Sequence, residues 1–469
     1  MAKEKKAKNP DHLGFGRLMA WKSSDIVAAW INILMLNYLS IYASDTLGVN
    51  VGVVGSLLLA SKVVDGFTDV AAGYIVDNTK SKWGKGRPYE LGIVGMTICT
   101  IGLFAASPAW STFFKCAWIF CMYTLTFSLF STFRATAGNP YTIRHFSNNK
   151  ALITKVASYG GIITMAGSII MNALIPVMMG TIATSASGWT AMVAIIMVPA
   201  TAIGVLRFLF CKEDPSVDAS VKKDKIEIKE IIQLITKNKY VWLYAIIMLC
   251  YNISTNLAVG TYYWKWIVGD ITLMSITSVF SVILLPLMLL FPVISKKIGI
   301  IGRMITVFGI VGIAGYAFMF LSNGSVVGAL AGSLFGTFAT LPLAYYGVLF
   351  IMNICTYNEM IGLPRMDGSS AILSNFATKA GAALGSWITG ILLMVAGYVS
   401  AEGVAEQPAS ALLMIRIDAS LVPAFCLAII CFCCLAFSKL EKMVPEWEAK
   451  KKAESEAAGA ADAVEVKAE

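Results

Sequence analysis

The stretch LLLASKVVDGFTDVAAGYIVDNTKSKWGKGRPYELGI sets Lys62, Asp65 and Asp69 inside an apolar run and ends in a basic patch. On a helix, Asp65 and Asp69 stack on one face, with Lys62 one turn before Asp65. Two carboxylates sharing a face make an oxygen-rich site for a small hard cation, or a proton carrier if one raises the pKa of the other. An internal Lys62–Asp65 ion pair that only holds helices together is the alternative, and it leaves Asp69 without a named partner. Arg134 is a further charge within an apolar run. Its guanidinium could receive a substrate carboxylate bidentately, pair with Asp25 or Asp65, or snorkel toward a membrane face. Trp30, Tyr159, Tyr262, Tyr263 and Trp264 have faces suited to sugar C–H groups, although aromatics near span ends also serve as interfacial anchors.

These residues need a frame that justifies buried charge. Of 469 residues, 57% are hydrophobic and 14% charged, with a mean hydropathy of +0.72; ordinary soluble domains are about a quarter charged. The chain reads as an all-α integral membrane protein in a lipid bilayer. Apolar windows of about 20 residues mark twelve transmembrane helices, at 20–44, 50–76, 90–108, 112–138, 151–180, 189–211, 239–266, 271–294, 300–321, 325–354, 368–399 and 409–438. The net charge of +9 resides mostly in every second connection, not on a continuous face of the kind nucleic acid requires. By the positive-inside rule both termini are cytoplasmic, and an even number of spans agrees.

The long polar segment 212–238 divides a first set of six spans, 20–211, from a second, 239–438. Segment 1–19 is basic, without a secretory signal's apolar core, and the Ala/Glu/Lys-rich tail 439–469 is expected to be disordered. Two six-helix bundles are the layout of the major facilitator fold, in which substrate binds near the midplane. Nine of the ten cysteines lie in apolar runs and suit packing; no metal-type spacing with histidine partners occurs. No nucleophile–base pair, HExxH or Walker motif is present, so neither an enzyme nor a bound cofactor is expected.

The motif VVDGFTDVAAGYIVDNTKSKWGKGRPY is similar to the second-helix signature of the glycoside-pentoside-hexuronide:cation symporter family, which includes melibiose and glucuronide permeases. YASDTLG, TYYWKWIVGD, NEMIGLPRMDGSSAILSNFATKAGAALG and IRIDASLVPA extend the resemblance across the membrane region. The resemblance implies that Asp65 and Asp69 bind the coupling cation, with a span-four hydroxyl, Ser128, completing the site. Thr68 stands where melibiose permease has a further asparagine ligand, which leaves sodium and proton both open. The family's span-eleven lysine falls on Lys379, and Lys155 stands where an arginine near the sugar is usual. The two acids that grip a galactoside in melibiose permease correspond here to Ala29 and to Ser131 or Thr132; Asp25 matches the broader family's span-one acid. Lys62, Asp77 and Arg87 are assigned to conformational switching, the last two from the loop between spans two and three.

The expected function is cation-coupled symport of a sugar or glycoside, a hexuronide included, across the cell membrane by a monomer. Asp25, Ser131, Thr132, Arg134, Lys155, Lys379, Trp30 and Tyr159 are the substrate-site candidates. A symporter of a non-sugar organic anion on the same scaffold is the alternative.

Overall fold

A computed structural model describes residues 14–79, 81–147, 149–214, 228–282, 294, 297–363, 370, 372–400 and 405–465. Among these, every regular element is a helix. In a bilayer each backbone N–H and C=O must be satisfied within its own segment, which the helix alone achieves for a single apolar run.

The first compact unit comprises Met1–Lys223, Leu257–Val282 and Ser386–Ala419. Its α1 runs from Phe15 to Thr46 and contains two π-helical turns, Leu34–Tyr38 and Tyr42–Thr46. Helix α2, Val51–Asn78, starts where the Asn50 side chain accepts hydrogen bonds from the Gly52 and Val53 N–H groups, satisfying donors that a helix start leaves orphaned. Helix α3 is Gly92–Leu103, entered through a 3₁₀ turn at Arg87–Leu91. Helix α4 covers 112–145, capped by Ser111 and widened by a π-helical turn at Leu125–Ser131. Helices α5, Lys150–Thr181, and α6, Ala186–Phe210, complete the first sequence half. Tyr42, Phe104 and Trp189 pack ring against ring in this unit, with centroids 4.9–5.7 Å apart.

The second unit comprises Asp224–Asn256, Ile283–Gly385 and Ser420–Glu469. Helix α7, Ile228–Lys237, is amphipathic, and its Leu234 is fully buried. Helix α8, Lys239–Val268, begins in this unit and ends in the first; α9, Met274–Ser281, belongs to the first. Helices α10, Ile301–Leu321, and α11, Val326–Met360, lie in the second, while α12, Ile372–Val395, and α13, Ala409–Glu465, contribute to both. The core of the second unit stacks Tyr244 on Phe350 and sets Phe437 4.7 Å from Phe350.

Three expectations are revised. Ten helices among the described residues are long and apolar enough to cross a membrane, not twelve. The window at 90–108 yields only the 12 residues of α3, and the window at 271–294 is described only as far as Val282 apart from Ile294. Second, the compact units do not divide at 212–238 alone: 257–282 and 386–419 cluster with the first half. One cause is visible within the first unit, where α2 and α12 meet on bare backbone. A Cβ on Gly55 would lie 3.2 Å from the Ser386 carbonyl and 3.4 Å from the Gly390 Cα. Third, the tail from 439 is helical to Glu465, continuing α13, because Ala, Glu and Lys are strong helix formers.

Candidate functional site

The α2 face around Asp65 is built by hydroxyls from α4. Asp65 is 7% exposed, and the Thr132 hydroxyl donates to its Oδ1 at 2.8 Å. One turn earlier on α2, Ser61 meets two more α4 hydroxyls: Thr124 donates to its Oγ at 3.0 Å, and Ser128 to its carbonyl at 3.4 Å. The residues on α4 are spaced by four, so they line one face, and the π-helical turn lies between Thr124 and Thr132. Thr68 turns its hydroxyl back to the Asp65 carbonyl at 3.0 Å. Lys62 lies over the rings of Phe127, 4.5 Å away, and Tyr123, 5.8 Å away. Asp69 follows one turn on and is half-buried. Thus Asp65, Thr132 and Ser128 come together, and Thr132, an expected sugar contact, sits on the carboxylate instead.

A second charged cluster gathers at Asp25. Its Oδ1 accepts from Arg207 at 2.9 Å and from Arg134 at 3.2 Å, and its Oδ2 accepts from Lys22 at 3.0 Å. Glu90, 2% exposed, lies 3.7 Å from Arg134 and 3.6 Å from Arg207. Three cations thus share two carboxylates, drawn from α1, α4, α6 and the turn before α3. The Arg207 guanidinium also covers the Trp21 ring at 3.9 Å. Arg134 therefore takes the internal pairing with Asp25 that was one of its open readings.

The basic loop after α2 is organised around Glu213. Its carboxylate accepts from the N–H groups of Lys85, Gly86 and Arg87 at 2.9, 2.7 and 2.5 Å, with Arg144 3.7 Å away. Such a run of convergent N–H groups is a nest for an anion. Gly84 at φ +113° permits the turn. Arg87 further donates to the Phe208 carbonyl at 2.8 Å, which ties the expected switch residue to the end of α6.

A fourth polar group pins α1 to α8 and to the segment after α12, all within the first unit. Asp45 pairs with Lys265 and accepts from Tyr398 at 2.7 Å and Ser44 at 2.8 Å. Ser44 also hydrogen-bonds Tyr262 at 2.9 Å, and Trp266 donates to the Tyr398 hydroxyl at 2.8 Å.

Of the other candidates, Trp30 donates to the Gly167 carbonyl on α5 at 3.0 Å, Tyr159 is 57% exposed, and Ser131 is half-buried on α4. Lys379 lies exposed on α12. The side chains of Asp77 and Lys155 lie outside the described residues. Sequence reasoning missed Arg207, Glu90, Glu213 and the Asp45–Lys265–Tyr398 group. Asp45 and Lys265 stand inside quoted motifs, so a search for charges within apolar runs had the signal to find them. Among the described residues, no group of three or more His, Cys, Asp or Glu could hold a metal ion.

Helices that bury carboxylates against hydroxyls and arginines within apolar spans define a membrane transporter rather than an enzyme. Residues 22–442 match the model of the MFS/sugar transport protein family, and the chain belongs to that family. It is 25% identical over 435 residues to the isoprimeverose transporter of Lactiplantibacillus pentosus, covering 88% of this chain and 86% of that one. A glucuronide carrier protein homolog of Escherichia coli (strain K12) is 24% identical over 447 residues, covering 89% and 92%. In fold, the chain resembles the crystal structure of a point mutant of the nucleoside transporter NupG, with a TM-score of 0.62 at 14% identity over 91% of this chain and 99% of that one. The protein is a multi-pass transporter of a small organic solute, with an MFS-type fold.

Proposed function

We propose that this transporter is a secondary active symporter that imports a sugar or glycoside together with sodium or a proton, with both termini in the cytoplasm. The observation that carries the reading is Asp65: a carboxylate 7% exposed in a membrane helix, flanked by hydroxyls of α4 and followed one turn later by Asp69. A buried carboxylate costs several kcal/mol unless it binds a cation or a proton, and an ion that neutralises it can be exchanged for water on either side. Asp65 and Asp69 are the proposed ion ligands, with Thr132 and Ser128 as supporting oxygens and Thr68 beside them.

Sugar chemistry is supported by the names of the relatives, which include an isoprimeverose transporter and a raffinose carrier protein. Arg134 is occupied by Asp25, which favours a substrate without an obligatory carboxylate. Asp25, Ser131, Lys155, Lys379, Trp30 and Tyr159 remain proposed contributors to the substrate path, and Lys62, Asp77 and Arg87 to the switch.

The test uses purified protein in liposomes. Labelled isoprimeverose should show counterflow at equal pH and sodium on both sides. Asp65→Asn should abolish accumulation against a gradient and retain counterflow, since exchange needs no net ion movement. An Asp65→Asn protein that still concentrates the sugar would refute the role of Asp65, and no counterflow of isoprimeverose, raffinose or a glucuronide would refute the sugar assignment.

A further inference from the structure

One buried acid lies apart from all four charged groups. Asp418 on α13 is 0% exposed, and neither carboxylate oxygen has a hydrogen-bond partner. Its polar neighbour is Thr389 of α12, 1% exposed, whose hydroxyl also lacks a partner. No lysine, arginine, histidine or second acid from α12 or any other described element interacts with it; Arg416, two positions earlier on α13, does not pair with it. Five residues on, Pro423 has no N–H to offer the Ala419 carbonyl, so an acceptor in the backbone beside Asp418 is freed.

An ionised carboxylate cannot persist in such surroundings: among the described residues no cation faces it and the Thr389 hydroxyl is its single polar neighbour, so its desolvation is poorly compensated and the group takes a proton instead. A sodium ion is not an adequate substitute, because hard cations take about six oxygen ligands and this pocket offers a carboxylate and one hydroxyl. As a carboxylic acid, Asp418 has one O–H to donate and keeps acceptor capacity for the Thr389 hydroxyl, so protonation suits both orphaned groups.

Building on the symport reading, we infer that Asp418, with Thr389, is a second proton-binding site of this transporter, distinct from the carboxylates of α2. The proton is taken from water on one side, carried on the carboxylate oxygen while the site is dry, and returned to water on the other side; no other reactant is needed. The site would make transport sensitive to pH even if the α2 carboxylates hold sodium.

The test needs no substrate. An apolar carbodiimide, dicyclohexylcarbodiimide, modifies protonated carboxyl groups in apolar surroundings. Wild-type protein in liposomes is treated from about pH 5.5 to about pH 9, and the peptide carrying Asp418 is read by mass spectrometry. Its modification should fall by about tenfold or more across that range, and Asp418→Asn should remove it. Absence of modification at every pH would overturn the proposal, because the group would not be a protonated acid. Constant modification would also overturn it, because the proton would be permanent. If isoprimeverose, raffinose and glucuronide counterflow all fail in the same liposomes, the sugar assignment falls while the carbodiimide titration still reports on Asp418.

Discussion

Single residues in this protein are held by partners that the sequence does not place beside them. Arg134 illustrates the point: its apolar setting on α4 admitted a substrate carboxylate, an internal acid or a membrane face. Asp25 answers from 109 positions away, with Arg207 bonded to the same oxygen. Arg134→Gln should therefore impair isoprimeverose and glucuronide counterflow alike and lower the thermal midpoint, because it leaves buried charge of Asp25 and Glu90 less compensated; removing one partner of a buried pair costs about 3–5 kcal/mol. Loss confined to the glucuronide would restore Arg134 to the substrate path. Asp65 could be singled out from sequence because a charge in an apolar run is conspicuous wherever it lies. Its pairing with Thr132, which the sequence places among the sugar contacts, is not legible there, since hydroxyls are unremarkable in membrane helices and only the α2–α4 contact sets this one on the carboxylate.

At the scale of elements, apolar length made most spans legible, whereas departures from the regular helix were not. The π-helical turn at Leu125–Ser131 is an example: nothing in LTFSLFS announces it, yet it lies between two of the hydroxyls that face α2. The low hydrophobicity of the tail points to disorder, whereas its Ala, Glu and Lys content favours the helix that continues α13. The end of α4 is fixed by His145, which stacks on Trp21 with centroids 4.9 Å apart, receives a bond from Arg17 at 3.3 Å and hydrogen-bonds the Lys212 carbonyl at 2.7 Å. Burial, aided by the nearby Arg17, lowers its pKa from 6.5 to about 4, despite the opposing pull of the Lys212 carbonyl. The unfolded chain thus binds a proton between those values that the folded chain refuses. Stability from this group is complete above about pH 6.5, declines as pH falls, and levels off below about pH 4. The thermal midpoint of wild type should lose its advantage over His145→Gln as the pH is lowered through that window; a constant advantage would show that folding leaves the imidazole's pKa unshifted.

For the molecule as a whole, charge in the connections carries the orientation and hydropathy carries the membrane class, but the compact units follow contacts that no hydropathy plot contains. The orientation is directly testable. Ser81 and Ser325 are exposed in connections of opposite charge character, so a cysteine at 81 should react with an impermeant thiol reagent only from the cytoplasmic side and one at 325 only from outside; the reverse pattern would invert the topology.

The meeting of α2 with α12 has a mechanical meaning. Where Gly55 and Gly390 face each other the helices touch through backbone atoms, while the Met394 side chain of α12 seats against Gly52 one turn away, so at this point one helix can roll on the other with little side-chain rearrangement. Such a surface works as a bearing, and its smoothness sets a speed rather than an affinity. A methyl group at Gly390 would lie 2.8 Å from the Val51 carbonyl and 3.2 Å from the Gly55 Cα, closer than ordinary contact. Gly390→Ala should slow isoprimeverose counterflow by about tenfold while leaving its half-saturating concentration within about twofold; a shift in half-saturation without a change in rate would mean that the contact shapes the binding site. Friction at two glycines would then be one of the quantities that determine the turnover rate of the transporter.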